Sequence, residues 1–144
     1  MALTVKRITL WRREVENQPG ALASTLEPLA AAGCDLRLVL GYRFPDEPDR
    51  AAVEVFPVSG KRATAAAQAI GLQPFELACL LVEGDNRVGL GAAIGRALAD
   101  AGVNIAFLVA QVVGRRFTAV VGFTDEASAT SAAKTIRGAA TKKR

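Results

Sequence analysis

Two stretches of the chain, Asn17-Gln18-Pro19-Gly20-Ala21-Leu22 and Asn86-Arg87-Val88-Gly89-Leu90-Gly91, have residue types that could hold a small polar molecule. In each, an asparagine stands three residues before a glycine, and an apolar pattern of helical period starts directly after it. A helix start offers backbone N–H groups without intrahelical partners and the positive end of the helix dipole, which together suit a carboxylate. Glycine lets a ligand approach the backbone closely, and the asparagine amide oxygen can accept from an ammonium group. A plainer role fits the same residues. Asparagine is a favoured helix cap, and the glycine can serve the turn alone.

Chemistry that makes or breaks bonds finds little support. The chain has no histidine, so it lacks the commonest general base and the commonest metal ligand. Its hydroxyls and carboxylates stand beside no recognisable base, and the phosphate-loop lysine signature is missing. Gly89-Leu90-Gly91 begins like a dinucleotide fingerprint, but Gly95 follows one residue too late. Cys34 and Cys79 lie 45 residues apart without a companion, and both are expected as small buried thiols. No catalysis, metal or cofactor is expected.

The two stretches belong to a longer repeat. NQPGALASTLEPLAAAGCDL, 17–36, and NRVGLGAAIGRALADAGVNI, 86–105, align without a gap at an offset of 69 and share seven of twenty residues. The period is too long for a solenoid, so two copies of one small unit is the better reading. In the second copy Leu90, Ile94, Leu98 and Ala101 line one helical face; in the first, Leu22, Leu26 and Leu29 do so. Gly33 and Gly102 follow as helix stops. Pro28 removes a donor inside the first helix and predicts a kink or an irregular turn.

Around each helix the same order recurs. VKRITLWRRE and FELACLLVEG read as first strands. DLRLVLGYR and NIAFLVAQVV read as second strands, with Leu36, Leu38 and Leu40 matching Ile105, Phe107 and Val109. After a turn at PDEPD or at Gly114-Arg115-Arg116 come AAVEVFPV and FTAVVGFT. Ala-rich helices follow, capped at Ser59 and Asp125 and running to about Ile70 and Ile136. Residues 72–75 could supply a fourth strand to the first copy; the second copy's tail offers almost none. The division predicted is 1–72 and 73–144, with the basic tail 139–144 disordered.

On the first strand, Arg7, Thr9, Trp11 and Arg13 share a face too polar for a helix-covered core. Trp11 is therefore expected to meet water or another subunit. The matching face Glu76, Ala78, Leu80 and Val82 is more apolar, which points to a homodimer with the second copy nearer its centre.

At 51% apolar residues the chain can bury a core. It has no apolar run long enough to span a membrane and no signal-peptide pattern, so a cytoplasmic protein without membrane partners is expected. The net charge of +4 is modest. Helix-covered sheets also bind RNA, but Arg115-Arg116-Phe117-Thr118-Ala119-Val120-Val121-Gly122 lacks the glycine and aromatics that base stacking requires. No nucleic-acid partner is expected.

The chain resembles the ACT domain, a small ligand-binding regulatory module of amino acid metabolism. The resemblance rests on Asn17-Gln18-Pro19-Gly20-Ala21-Leu22-Ala23 and Gly33-Cys34-Asp35-Leu36, and on Asn86, Gly89, Ala92 and Gly102-Val103-Asn104-Ile105. The second copy departs at Val88, where the family often has proline, and at Gly91, where it has a bulky apolar residue. As a tandem pair the resemblance covers nearly the whole chain and is closest to stand-alone bacterial two-ACT proteins. It implies an α+β fold of two ferredoxin-like βαββα(β) units, antiparallel sheets with helices on one face. It also implies a small amino acid bound at Asn17–Leu22 and Asn86–Gly91, where strand turns into helix at an interface between domains. A regulated enzyme is the implied partner. The alternative is an assembly module without a ligand.

Overall fold

A computed structural model describes residues 3–141 of the chain. The strands are β1 (Thr4–Ile8), β2 (Trp11–Glu16), β3 (Leu38–Phe44), β4 (Glu47–Phe56), β5 (Gln73–Pro74), β6 (Ala78–Asp85), β7 (Phe107–Val113) and β8 (Arg116–Phe123). The helices are α1 (Ala21–Ala31), α2 (Lys61–Ala69), α3 (Leu90–Asp100) and α4 (Glu126–Thr141). Two antiparallel four-stranded sheets result, ordered β3-β4-β2-β5 and β1-β6-β8-β7. The architecture is the α+β, two-unit ferredoxin-like one that the sequence implied.

The units do not follow the chain in two contiguous halves. One is Thr9–Phe75; the other joins the segment up to Ile8 with the chain from Glu76 onward. The expected first strand VKRITLWRRE is in fact two strands. β1 pairs with β6 from Thr4↔Glu83 to Ile8↔Cys79, and β2 pairs with β4 in the other sheet. The division expected at 72/73 therefore differs from the observed units at both ends. The first unit takes its short fourth strand, β5, from Gln73–Pro74, and the second takes β1 from the start of the chain.

Each unit has its own core beneath two helices. In Thr9–Phe75 it comprises Val15, Leu29, Val53, Val55, Ala67 and Leu72. In the other unit Leu80, Val82, Phe117, Val121 and Phe123 from the sheet meet Leu90, Ile94, Leu98 and Ile136 from α3 and α4. Burying each such side chain contributes about 1.5–3 kcal/mol. The apolar stripe expected on α3 is buried as far as Leu98, while Ala101 is exposed. On α1 the buried positions are Thr25 and Leu29; Leu26 is half-buried and Leu22 is exposed. The helix passes through Pro28 unbroken, contrary to the expected irregularity, and forgoes only the bond that residue 28 would donate to the Ser24 carbonyl.

Trp11 corrects the face assignment. It packs against the helix-side core of its unit, on the same side as Val15. Arg13, one step along that face, donates to the Thr25 hydroxyl at 2.8 Å and to Ser24 at 3.2 Å on α1. In β1, Val5 enters the other unit's core and Arg7 pairs with Glu126 on α4. The polar face is thus the helix-covered one, its guanidinium groups reaching helix side chains at the margin of the core. Ala78, Leu80 and Val82 are also core residues, so the contrast between the two strand faces says nothing about assembly.

Two further expectations change. Asp125 caps α4, accepting from the Ser128 N–H at 2.7 Å, but Gly60 rather than Ser59 precedes α2 and provides no side-chain cap. Helix α4 runs past Ile136 to Thr141, so residues 139–141 of the supposed disordered tail are helical; 142–144 lie outside the described residues. Cys79 is buried and Cys34 half-buried.

Candidate functional site

The two strand-to-helix corners are built alike. In the first, the Ala21 N–H donates to the Gln18 carbonyl at 3.2 Å, closing a turn with Pro19 and Gly20 at its centre. Gly20 has φ 91° and ψ −10°, the third-position geometry of a type II turn, for which proline at the second position is already set. In the second, the Leu90 N–H donates to the Arg87 carbonyl, also at 3.2 Å, and Gly89 has φ 84° and ψ 5°. Ser24 and Ala93 then make the first helical bonds, to the Gly20 and Gly89 carbonyls, both at 2.9 Å.

Neither helix start has a side-chain cap. Both asparagines bond to the neighbouring hairpin instead. Asn17 donates its backbone N–H to the Asp49 carbonyl at 2.8 Å and its side-chain Nδ2 to the Pro48 carbonyl at 2.9 Å. The Asn86 N–H donates to the Arg115 carbonyl at 2.8 Å. The capping role of asparagine weighed from the sequence is therefore not the one seen at Asn17, whose amide ties the corner to the start of β4. Pro48, Asp49 and Arg115 were read from the sequence only as turn residues, and their bonds to the corners were not, because the contact joins segments some 30 residues apart. In both copies the first-turn N–H groups after the turn, those of residues 22 and 23 and of 91 and 92, have no intrahelical partner.

The side chains divide unevenly. Leu90 is 3% exposed and belongs to the core, whereas Val88, where the first copy has proline, is 99% exposed. Leu22 is half exposed, and Ala21 packs against the core of its unit. Arg87, Val88 and Gly89 line one end of an open groove of about 720 Å³. The groove continues along Ala93, Ala97 and Ala101 of α3 and Thr135, Gly138 and Ala139 of α4, with Arg96 and Asp100 on its wall. Arg96 and Asp100 are paired with each other at 3.1 Å. A second cavity, of about 500 Å³, lies between the stop of α1 and the start of α2, lined by Cys34, Arg37, Ser59, Lys61 and Arg62 among others. It includes none of Asn17–Leu22. Among the described residues no group of His, Cys, Asp and Glu comes together that could hold a metal ion, and no helix is long and apolar enough to cross a membrane.

The charged groups with displaced pKa values lie elsewhere. Buried Glu54 accepts from the Tyr42 hydroxyl at 2.8 Å and from Arg12 Nε at 3.2 Å, and Arg12 lies 5.1 Å from the Phe75 ring centre. Burial, and then the Glu54 carboxylate, push the Tyr42 hydroxyl up; Arg12 and Arg50 hold Glu14 below the usual carboxylate range. This cluster braces the strands of the first sheet. Phe117, the aromatic in the stretch tested for RNA binding, is buried in the helix-side core and cannot stack a base.

A protein from Bacteroides thetaiotaomicron superposes on 90% of the chain, over 88% of its own length, with a TM-score of 0.73 and 16% identity. The regulatory subunit of aspartate kinase from Thermus thermophilus matches 99% of the chain and 98% of its own, with a TM-score of 0.65 and 16% identity. An aspartate kinase from Clostridium acetobutylicum, described as an allosteric enzyme, matches 96% of the chain with 34% of its own length, at a TM-score of 0.62 and 15% identity. No family model and no curated protein matches the sequence. At these identities what is shared is the fold, the α+β one of two ferredoxin-like units expected from the sequence.

Proposed function

We propose that this chain is a regulatory protein that binds a small amino acid at its strand-to-helix corners and is not itself an enzyme. The observation that carries the reading is the duplicated corner: two glycine turns of one geometry, each followed by a helix start without a side-chain cap. The ligand carboxylate would take the free N–H groups of residues 22 and 23 or of 91 and 92. The second corner, with Arg87 beside the groove, adds a cation for the same carboxylate. The likeness to a regulatory subunit of aspartate kinase supports a regulatory role, with an enzyme as the regulated partner. A homodimer is the proposed working form. The chain would act in the cytoplasm.

Energetics limit what a corner does alone. The field of a helix end contributes about 0.3–1 kcal/mol, and up to about 2 when partly buried. Micromolar to millimolar binding requires about 4–8 kcal/mol. Groups beyond the corner must therefore enclose the ligand.

The test is thermal unfolding with each of the twenty amino acids. A true ligand at 100 times its dissociation constant stabilises the protein by about 2.7 kcal/mol. Gly20→Ala and Gly89→Ala, each compared with its own ligand-free melting point, then tell which corner binds. If none of the twenty raises the melting point, the sensor reading fails. The second reading, assembly without a ligand, would then stand; the wholly exposed Val88 in the second corner favours it.

A further inference from the structure

The cavity of about 500 Å³ between the stop of α1 and the start of α2 belongs to neither corner, and its wall is lopsided in charge. Arg37, Lys61 and Arg62 line it with a single carboxylate, Asp35. All four side chains are exposed. Among the described residues none of the three cations has an ion-pair partner. Cations gathered round one hollow repel each other, and an anion placed among them relieves that repulsion.

Hydrogen-bond accounting points the same way. The acceptors at the α1 stop are spent. The carbonyls of Pro28, Leu29 and Ala30 take the N–H groups of Ala32, Cys34 and Gly33, and the Ala31 carbonyl accepts from the Arg62 guanidinium at 3.3 Å. The donors at the α2 start are not spent. Gly60 gives that helix no side-chain cap, and its first bond runs from the Thr64 N–H to the Gly60 carbonyl at 3.0 Å. The N–H groups of Lys61, Arg62 and Ala63 therefore have no partner among the described residues, although Ala63 is buried.

A wall rich in donors, with its nearby acceptors used, suits a ligand that chiefly accepts. Phosphate groups do so with several charged oxygens at once, and guanidinium forks match them in shape. The volume falls within the range of about 300–1,000 Å³ usual for small-molecule sites. Three cations set round it fit a chain of phosphates better than a single one. We propose that this cavity binds a small molecule through a diphosphate group, free or carried on an organic body, at a site separate from the two corners.

Calorimetric titration of the full chain with inorganic pyrophosphate and with adenosine diphosphate, at one fixed ionic strength, tests this. At least one probe should bind with a dissociation constant of about 1 mM or tighter, and the tighter of the two tells whether the free or the organic form is preferred. Arg37→Gln and Lys61→Gln should each weaken that binding by about 10-fold or more. Arg43→Gln removes an exposed cation about 20 Å further along the extended chain and should leave it unchanged. Asp35→Asn supplies a test that does not depend on a variant losing function: without the repelling carboxylate, binding should tighten about 2- to 5-fold. Cys34 lines the same cavity while Cys79 is buried, so bound probe should also slow maleimide labelling of Cys34. Binding of neither probe would overturn the site, as would binding that Arg43→Gln weakens as much as Lys61→Gln, or labelling of Cys34 that saturating probe leaves unslowed. None of these outcomes depends on whether an amino acid raises the melting point.

Discussion

At Gly20 and Gly89 a Cβ would meet nothing within 4 Å, so any cost of adding one lies in the backbone alone. Gly20→Ala and Gly89→Ala should each lower stability by about 1–2 kcal/mol, the penalty for an L-residue in left-handed geometry, as read from urea unfolding. Gly122 is the opposite case. A Cβ there would come 2.1 Å from the Phe107 ring, which lies on the glycine across β7 and β8. Gly122→Ala should cost about 1–3 kcal/mol, and Phe107→Leu should recover part of it, a coupling that a double-mutant cycle measures. At Asp125 the charge matters as well as the cap. The Ser128 N–H holds its carboxyl below the usual range. A depressed folded pKa gives stability that is present above the unfolded value and lost as pH falls through the folded one. Asp125→Asn should therefore flatten that part of the acid-unfolding profile below about pH 4 while keeping the cap at neutral pH, as followed by circular dichroism. Much of this scale was legible in the sequence: Pro19-Gly20 announces its turn. The amide of Asn17 was not, because its acceptor at Pro48 is brought near only by the folded hairpin.

Among the elements, the helices and hairpins could be read from period and punctuation, and the first strand could not. VKRITLWRRE runs on with no glycine or proline to mark a break, yet Ile8 and Trp11 belong to different sheets. Which partner a strand takes is a long-range matter that local pattern does not encode. The face of that strand was misread for a related reason: Arg7 and Arg13 count as polar in the pattern, whereas their ends find Glu126 and Thr25 on the covering helices. Removing the chain before Thr9 takes away β1, the Arg7–Glu126 pair and the Arg137 bond to the Val5 carbonyl at 2.6 Å. The truncated protein should lose hydrogen-exchange protection in β6 and α4 while β2 and β4 keep theirs. Pro28→Ala restores a donor within α1 and should stabilise the first unit by about 2 kcal/mol, after allowance for the freer unfolded chain.

For the molecule as a whole, the decisive fact is that one unit is inserted into the other. Expressed alone, Thr9–Phe75 contains every strand of its sheet and should give a cooperative thermal transition, whereas 73–144 lacks an edge strand and should not. Joining Ile8 directly to Glu76 should restore the second unit by itself. Ile8 already lies opposite Cys79, so Glu76, Leu77 and Ala78 would close a short hairpin. The insertion also orders events during synthesis. At about 5–20 residues per second, the ribosome makes Thr9–Phe75 within seconds. All that while, Thr4–Ile8, made before it, has no mate. That strand is thus made before the inner unit but seated after it, and its hydrogen-bonding edge stays open until translation supplies β6.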